Sequence, residues 1–218
     1  MRHEFWLERW RDGRIAFHQP RVDVDLIGHW ADLGLNVKCP VFVPLCGKSL
    51  DLLWLRDRGH PVIGVELSTI AVEAFCVENG IDARRRTMPG FDCYQTPDLE
   101  LLCGDFFDLT PALLANVGAV YDRAALISWN EALRQPYVEH LAALTGPGTE
   151  TLLITLEYDQ DQTAGPPFSV PAAEVDRLYS RHHAVRELSR QDILSSEPRM
   201  QARGVTELAA VCYRLTRL

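Results

Sequence analysis

The part of the sequence that most constrains the fold is residues 41–68, where two short apolar runs flank a single glycine turn. The first run, Val41–Val43, is β-branched and aromatic, as in a buried strand. Pro44 ends this strand, and Gly47 allows a close backbone turn before a helix that begins near Ser49. The pattern predicts the first strand, the turn and the helix of a β-α-β unit.

The rest of this unit supplies an acid at the end of a second strand. The helix is predicted to separate apolar positions from polar ones, with Leu50, Leu53 and Trp54 against Asp51, Asp57 and Arg58. Gly59 ends the helix, and the second buried strand ends at Glu66. An acid about twenty residues after the turn glycine is typical of units that bind the ribose of a nucleotide-like cofactor.

Apolar runs and helical patterns alternate along most of the chain. Further strands are predicted at residues 99–102, 117–121, 151–156, 185–192 and 206–215, and further helices at 24–33, 70–78, 137–144 and 172–180. This alternation predicts an α/β fold with a mostly parallel sheet and helices on both faces, and the last two strands predict an antiparallel edge. No repeat or linker interrupts the series, so residues 1–218 are predicted to form a single domain.

Composition excludes several classes of protein. A formal net charge of −8 disfavours a nucleic-acid partner, and the basic run at 84–86 is interpreted as a solvated strand edge. No apolar run is long enough to cross a membrane. The six cysteines form no C-x-x-C pair and no regular framework, which predicts reduced thiols and a cytoplasmic location. No set of cysteines and histidines has the short spacing of zinc ligands, so no metal site is predicted. No apolar patch or heptad seam stands out, which favours a monomer.

An aromatic-rich segment precedes the first core strand. Phe5, Trp6, Trp10 and Phe17 surround a turn at Asp12-Gly13. Two interpretations remain open at this point. The rings could simply pack on the domain, or they could form a lid, because aromatic rings stack on heterocycles and cover cationic centres.

The residues of the glycine turn also limit which class of ligand can bind there. Gly47-Lys48-Ser49 looks like the tail of a phosphate-binding loop, but the first glycine of that motif would fall on Phe42. The turn also lacks the G-x-G-x-x-G pattern that accommodates a pyrophosphate. A ligand with ribose and adenine but no phosphate meets both facts, and S-adenosylmethionine is the obvious candidate. Its methionyl end would lie near residues 45–47, and Glu66 would accept hydrogen bonds from the ribose hydroxyls.

Three more polar residues follow predicted strands. Asp105 could accept a hydrogen bond from the adenine amine, or it could cap the next turn. Arg123 could bind the cofactor's carboxylate with its planar fork, or it could pair with Asp122. Asp122 itself is a candidate catalytic residue, as a weak proton acceptor acting through water.

Several blocks of sequence resemble the thiopurine S-methyltransferase family. They are W-x-x-x-W-x-x-G-x-x-x-F-H at 6–18, V-F-V-P-L-C-G-K-S at 41–49, R-G-H-P-V-I-G-V-E at 58–66, Y-D-R-A-A-L at 121–126 and G-P-P-F-S-V-P at 165–171. The blocks span almost the whole chain in order. The absence of a long N-terminal extension makes the chain similar to bacterial members of the family.

The resemblance implies a class I methyltransferase fold, which is Rossmann-like with a seven-stranded sheet, and S-adenosylmethionine as the methyl donor. Matched position by position, the family's cofactor contacts fall on Trp10, Leu45, Glu66 and Arg123, with Asp105 and Phe106 near the adenine. Phe17 matches the aromatic residue at the acceptor pocket. The family has a small polar residue where this chain has Asp105, so the adenine contact departs from the family pattern.

The resemblance also implies a reaction: methyl transfer to the sulfur of aromatic or heterocyclic thiols, with S-adenosylhomocysteine as product. It suggests selenium or tellurium compounds as further acceptors, in detoxification or tellurite resistance. The expected mechanism is a single in-line transfer to a thiolate, so Cys46 need not be a nucleophile. Two rival hypotheses are a nicotinamide-dependent dehydrogenase and a non-catalytic binding protein.

Overall fold

The computed structural model describes residues 3–218, which form one sheet flanked by helices. The strands are β1 (Val41–Val43), β2 (Val62–Glu66), β3 (Arg84–Met88), β4 (Phe91–Gln95), β5 (Leu99–Cys103), β6 (Ala119–Arg123), β7 (Glu150–Glu157), β8 (His183–Asp192) and β9 (Ala209–Arg217). The helices are α1 (His3–Arg11), α2 (Val24–His29), α3 (Asp51–Asp57), α4 (Thr69–Glu78), α5 (Glu131–Leu144), α6 (Ala172–Tyr179) and α7 (Pro198–Ala202).

The strand order is β3-β4-β5-β2-β1-β6-β7-β9-β8. Strand β1 pairs in parallel with β2 on one side and with β6 on the other. The chain therefore moves outward from β1 in both directions, and the carboxyl end of β1 is a topological switch point. In open α/β sheets, ligands bind outside the carboxyl ends of the strands at such a point.

The predicted fold class is confirmed, but the sheet is larger and less parallel than the sequence predicts. Within the described residues it has nine strands instead of seven. The hairpin β3-β4 adds two antiparallel strands beside β5, and β8 and β9 add two more at the opposite edge, so four of the eight strand pairs are parallel. The basic run is confirmed as a solvated edge, because Arg84, Arg85 and Arg86 are exposed on β3.

Both faces of the sheet are covered, because successive strand residues point to opposite sides. Phe42 and its neighbours pack in one cluster with the buried faces of α5 and α6. Val41 and Val43 pack in the other, with α2, α3 and α4. The central strands are therefore fixed, and only their carboxyl ends remain free to line a site. Among residues 3–218, no helix combines the length and apolarity of a membrane span.

The buried face of α3 differs from the predicted one. The sequence pattern placed Leu53 and Trp54 on the buried face and Asp51 on the polar face. In the structure Asp51, Leu52 and Leu55 are fully buried, whereas Leu53 and Trp54 are only partly covered. The reason is that Asp51, in the first turn of α3, faces hydrogen-bond donors at the end of β6, which periodicity alone does not reveal.

Candidate active site

A cavity opens at the carboxyl ends of β1, β2, β5 and β6, and we call it the strand-end cavity. It is bounded by the residues that follow these strands and, from above, by α1 and the segment after it. Eight of the nine site residues predicted from the sequence line it: Trp10, Phe17, Leu45, Gly47, Glu66, Asp105, Phe106 and Arg123. Asp122 does not.

The turn after β1 has an unusual backbone that brings the chain close to α1. Leu45 has φ of 47° and Gly47 has φ of 54°. A left-handed conformation is uncommon for a leucine, and such positions cluster at ligand-binding sites. A Cβ atom at Gly47 would lie 3.3 Å from a ring carbon of Trp10, so glycine permits the tryptophan to close over the turn.

Glu66 ends β2 with its carboxylate buried in the wall of the cavity. Oε2 accepts a hydrogen bond from the Gly47 N–H at 2.9 Å, and Oε1 accepts one from the Ser68 N–H at 2.8 Å. Burial raises the pKa of Glu66 to about 7, and the backbone hydrogen bonds oppose this rise. Each carboxylate oxygen keeps a second lone pair, so the group can still accept hydrogen bonds from two ligand hydroxyls.

The Gly47-Lys48-Ser49 sequence does not form a phosphate cradle. Lys48 Nζ lies 2.6 and 2.9 Å from the two carboxylate oxygens of Glu78 on α4. The N–H of Gly47 donates to Glu66, as described above. Both donors that a phosphate would use are therefore paired within the chain, which agrees with the exclusion drawn from Phe42.

Arg123 ends β6 and pairs with acids other than the one expected. Its Nε donates to Asp51 Oδ2 at 3.0 Å and lies 3.7 Å from Asp23 Oδ2. Tyr121 also donates to Asp51 Oδ2, at 3.1 Å, and the Asp23 N–H donates to Oδ1 at 2.9 Å. The predicted alternative, a pair between Arg123 and Asp122, is wrong. Asp51 was missed because its neighbours here lie far along the chain.

Asp122 points away from the cavity, because it alternates with Tyr121 and Arg123 along β6. The residue is fully buried. Oδ1 accepts from the Leu126 N–H at 3.1 Å, and Oδ2 accepts from the Tyr137 hydroxyl at 2.7 Å. Burial raises its pKa to about 6 against these hydrogen bonds. The geometry gives Asp122 a link to α5 and no contact with the cavity, so its predicted catalytic role gains no support.

Asp105 fulfils the capping alternative and still borders the cavity. Oδ1 accepts from the Phe107 N–H at 2.9 Å, which caps the turn after β5. Oδ2 lies 3.0 Å from His3 Nε2 at the start of α1, and the side chain is 25% exposed. The neighbouring Phe106 ring packs against Tyr137, with ring centroids 4.9 Å apart. The cap therefore does not exclude a ligand contact at the free face of Asp105.

Aromatic rings close the strand-end cavity from above. Phe17 packs edge-to-face against Trp6 at 5.4 Å and against Trp10 at 5.5 Å. Trp10 is only 6% exposed. The two interpretations of this segment are therefore compatible, since the same rings pack on the domain and cover the cavity.

A second cavity, which we call the outer cavity, adjoins the first. Its wall comes from distant parts of the chain and includes Arg9, Arg21, Pro166, Pro167, Arg199 and Arg203. Six residues line both cavities and form what we call the shared wall: Trp6, Phe17, His18, Arg123, Ala124 and Ser128. Two cavities that meet at one wall can hold two molecules with their reacting atoms in contact, as a group transfer requires.

Sequence reasoning found only part of this second region. The G-P-P-F block at 165–168 and the F-H pair at 17–18 stood out as motifs, but neither carries a local spacing rule that assigns it to a cavity. Arg199 and Ser128 lie in segments with no motif at all. Ala124, with φ of 62°, gave no signal because strain at a non-glycine residue is invisible in the sequence.

Comparison with known proteins places the chain among methyltransferases. The family model described as Thiopurine S-methyltransferase (TPMT) matches residues 1–218. The chain is 47% identical over 214 residues to the thiopurine S-methyltransferase of Bordetella petrii, covering 98% of each chain. It is 47% identical over 218 residues to that of Nitrosomonas eutropha, covering 100% of this chain and 99% of the relative.

A solved structure supports the fold independently. The 1,6-didemethyltoxoflavin-N1-methyltransferase of Burkholderia thailandensis, determined with S-adenosylhomocysteine bound, superposes with a TM-score of 0.61 at 16% identity. The match covers 98% of this chain and 87% of that protein. At this identity the likeness speaks for the fold alone.

Proposed function

Because the chain belongs to the thiopurine S-methyltransferase family, we propose that it transfers the methyl group of S-adenosylmethionine to the sulfur of an aromatic or heterocyclic thiol. The observation that carries this proposal is the shared wall, where a cavity suited to the donor meets a cavity suited to an acceptor.

The strand-end cavity suits S-adenosylmethionine by the chemistry of its lining. Glu66 offers two free lone pairs to the ribose hydroxyls, as its position at the end of β2 led us to expect. The turn at Leu45 and Gly47 would lie along the methionyl chain, and Arg123 would bind its carboxylate through the terminal nitrogens that Asp51 does not use. When bound, S-adenosylmethionine supplies a methyl group made electrophilic by a sulfonium.

The aromatic rings above the strand-end cavity would exclude water and position the acceptor. Trp10 closes over the turn, and Phe17 stands on the shared wall, where the acceptor ring would stack. These rings exclude water and limit the approach of the acceptor sulfur, so rate would come chiefly from alignment. Asp105 and Phe106 would border the adenine, with the Asp105–His3 contact holding α1 above it.

The acceptor range extends, in our proposal, to selenium and tellurium compounds. Selenols are soft nucleophiles that ionise at least as readily as thiols, so they need no chemistry beyond that of the shared wall. This range would suit a role in detoxification or tellurite resistance. We also propose a cytoplasmic location, since all six cysteines are free thiols, as in reducing compartments. The proposed oligomeric state is a monomer, as expected from the sequence.

Two measurements test the proposal. Calorimetric titration should detect binding of S-adenosylmethionine and S-adenosylhomocysteine and none of NAD, and tight dinucleotide binding would instead support the dehydrogenase hypothesis. Methyl-product assays should then rank kcat/KM for a thiopurine, an aryl thiol, a selenol and tellurite. A protein that binds the donor yet methylates none of these acceptors would be the non-catalytic alternative.

A further inference from the structure

His18 occupies a position in the site that the proposed function leaves unexplained. It follows Phe17 in the segment between α1 and α2, and its backbone N–H donates to the Ile15 carbonyl at 2.8 Å, which holds the turn. Its side chain lines both cavities. Within residues 3–218 no other group hydrogen-bonds to the imidazole nitrogens, so neither nitrogen is already engaged by the chain.

The electrostatic surroundings favour the neutral form of this imidazole by lowering its pKa. Burial lowers the pKa of His18 below its usual range, the charge of Lys48 lowers it further, Glu78 opposes the shift, and Arg123 adds to it. The other acidic and basic side chains on the two cavities are those of His3, Arg9, Arg21, Asp23, Asp25, Asp51, Glu66, Asp105, Glu197, Arg199 and Arg203. A neutral imidazole near physiological pH carries a free lone pair and can accept a proton.

Among the six residues of the shared wall, His18 is the one that can act as a base. Arg123 stays protonated, and the other four side chains are aromatic, a methyl group or a hydroxyl. Acids nearby are already engaged: Asp51 binds Arg123 and Tyr121, and Asp23 caps α2. The geometry therefore assigns to His18 the role that sequence reasoning gave to Asp122.

We propose that His18 is a catalytic residue that removes the proton from thiol acceptors which bind in their neutral form. This inference rests on the proposed function. The S–H bond breaks, its electron pair stays on sulfur, and the proton moves to an imidazole nitrogen. The thiolate pair then forms the bond to the methyl carbon, while the pair of the broken C–S bond returns to the departing S-adenosylhomocysteine. The imidazolium finally releases its proton to solvent.

The test compares two acceptors that differ in ionisation. An aryl thiol with electron-withdrawing groups is already a thiolate at pH 7, whereas an arylmethyl thiol is mostly protonated. We expect His18→Gln to lower kcat for the arylmethyl thiol about 100-fold, the scale of a lost general base, and to change kcat for the ionised thiol less than about 3-fold. His29→Gln, on α2 and paired with Asp32, is the matched control and should leave both rates unchanged.

A second readout does not depend on turnover. In the complex with S-adenosylhomocysteine, the near-ultraviolet absorbance of a bound aryl thiol reports its thiolate fraction. Proton transfer to His18 predicts that thiolate appears at lower pH in the wild-type complex than in the His18→Gln complex. Thermal unfolding and a second variant, His18→Asn, check that the fold persists.

The outcomes separate the two proposals. Equal losses of kcat for both thiols, no loss for either, or identical thiolate titrations in wild type and variant would overturn the role of His18 and leave the methyltransferase function intact. If the wild-type protein methylates neither thiol, the proposed function itself fails.

Discussion

The two cavities differ in how the chain builds them. The strand-end cavity is formed largely by residues that directly follow β1, β2, β5 and β6, at one edge of a single sheet. The outer cavity collects side chains from α1, the segment before α2, the loop at 166–167 and the region around α7. The strand-end cavity therefore depends on the sheet, whereas the outer cavity depends on the packing of segments that are distant in sequence.

The two cavities also differ in their charged groups. Glu66 fixes the chemistry of the strand-end cavity through hydrogen bonds with neighbouring backbone amides. The outer cavity is bordered by the guanidinium groups of Arg9, Arg21, Arg199 and Arg203 together with the carboxylates of Asp23, Asp25 and Glu197. Arg123 belongs to both, so it is the charged group through which a change in one cavity should reach the other.

The largest expected effect is a loss of donor binding in the strand-end cavity. Replacing Glu66 with Gln should weaken S-adenosylhomocysteine binding about 100-fold, because two charge-assisted hydrogen bonds of roughly 1.5–3 kcal/mol each lose their ionised acceptor. Calorimetric titration measures this change. Glu100→Gln on the neighbouring β5, where Glu100 pairs with Arg86, is the control and should have no effect. Unchanged binding in Glu66→Gln would remove Glu66 from the ribose site.

A substitution of Asp51, which pairs with Arg123 on the shared wall, should affect both cavities. In Asp51→Asn the side chain keeps its shape, but Arg123 loses its buried carboxylate partner. We expect about 10-fold losses in both donor affinity and acceptor kcat/KM, since Arg123 lines both cavities. Asp57→Asn, at the exposed end of the same helix, is the control. A loss confined to one substrate would show that Arg123 serves only one cavity.

Lowering the pH should weaken donor binding, as the Glu66→Gln substitution does. Because the pKa of Glu66 is about 7, lowering the pH from 8 to 6 converts most of this carboxylate to its neutral form. Donor affinity should fall by about 10-fold over this interval if the ionised form is the one that binds. Glu66→Gln should bind with little pH dependence over the same range. A similar pH dependence in the variant would assign the effect to another group.

The smallest expected effect concerns Asp122, which lies outside both cavities. Its pKa is raised from 3.8 to about 6, so the stabilising contribution of its protonated form is complete below pH 3.8 and is lost as the pH rises through 6. Relative to wild type, Asp122→Asn should therefore gain about 1 kcal/mol of unfolding free energy between pH 5 and pH 8. Denaturant unfolding at the two pH values measures this gain, while kcat should change little.

The contrast between the cavities explains what the sequence could predict. The β-α-β unit, the class of fold and the positions of Gly47, Glu66 and Arg123 follow from local spacing, because strand ends in a parallel sheet meet at one edge. Trp10 and Phe17 were instead identified through the family resemblance. The prediction for Asp122 did not gain support. Side chains alternate along β6, and the sequence alone does not show which of them point toward the cavity. Asp51 was assigned to the wrong face of its helix, since its partners are 70 and 72 positions away.

The edge of the sheet and the outer cavity were harder to predict from the sequence, for other reasons. The sequence predicted seven strands and did not predict that β3 and β4 belong to the sheet, although both pair locally and β4 is joined to β5 by residues 96–98 alone. The polar, exposed residues of β3 give no apolar strand pattern. The sequence analysis quoted His18 within a motif and assigned it no role. Its position between the two cavities is set by the tertiary structure and cannot be read from the residues next to it in the sequence. Local patterns thus predict the lining of the strand-end cavity better than that of the outer cavity.

The separate construction of the two cavities has a consequence for how such proteins diversify. Mutations in the loop at 166–167 or around α7 reshape the outer cavity and leave the turn after β1 and the end of β2 untouched. Under the proposed assignment of the outer cavity to the acceptor, selection can therefore alter the choice of acceptor in small steps while the donor is retained, since loops on a fixed scaffold tolerate change. A library confined to those segments would be the efficient route to new methyl acceptors.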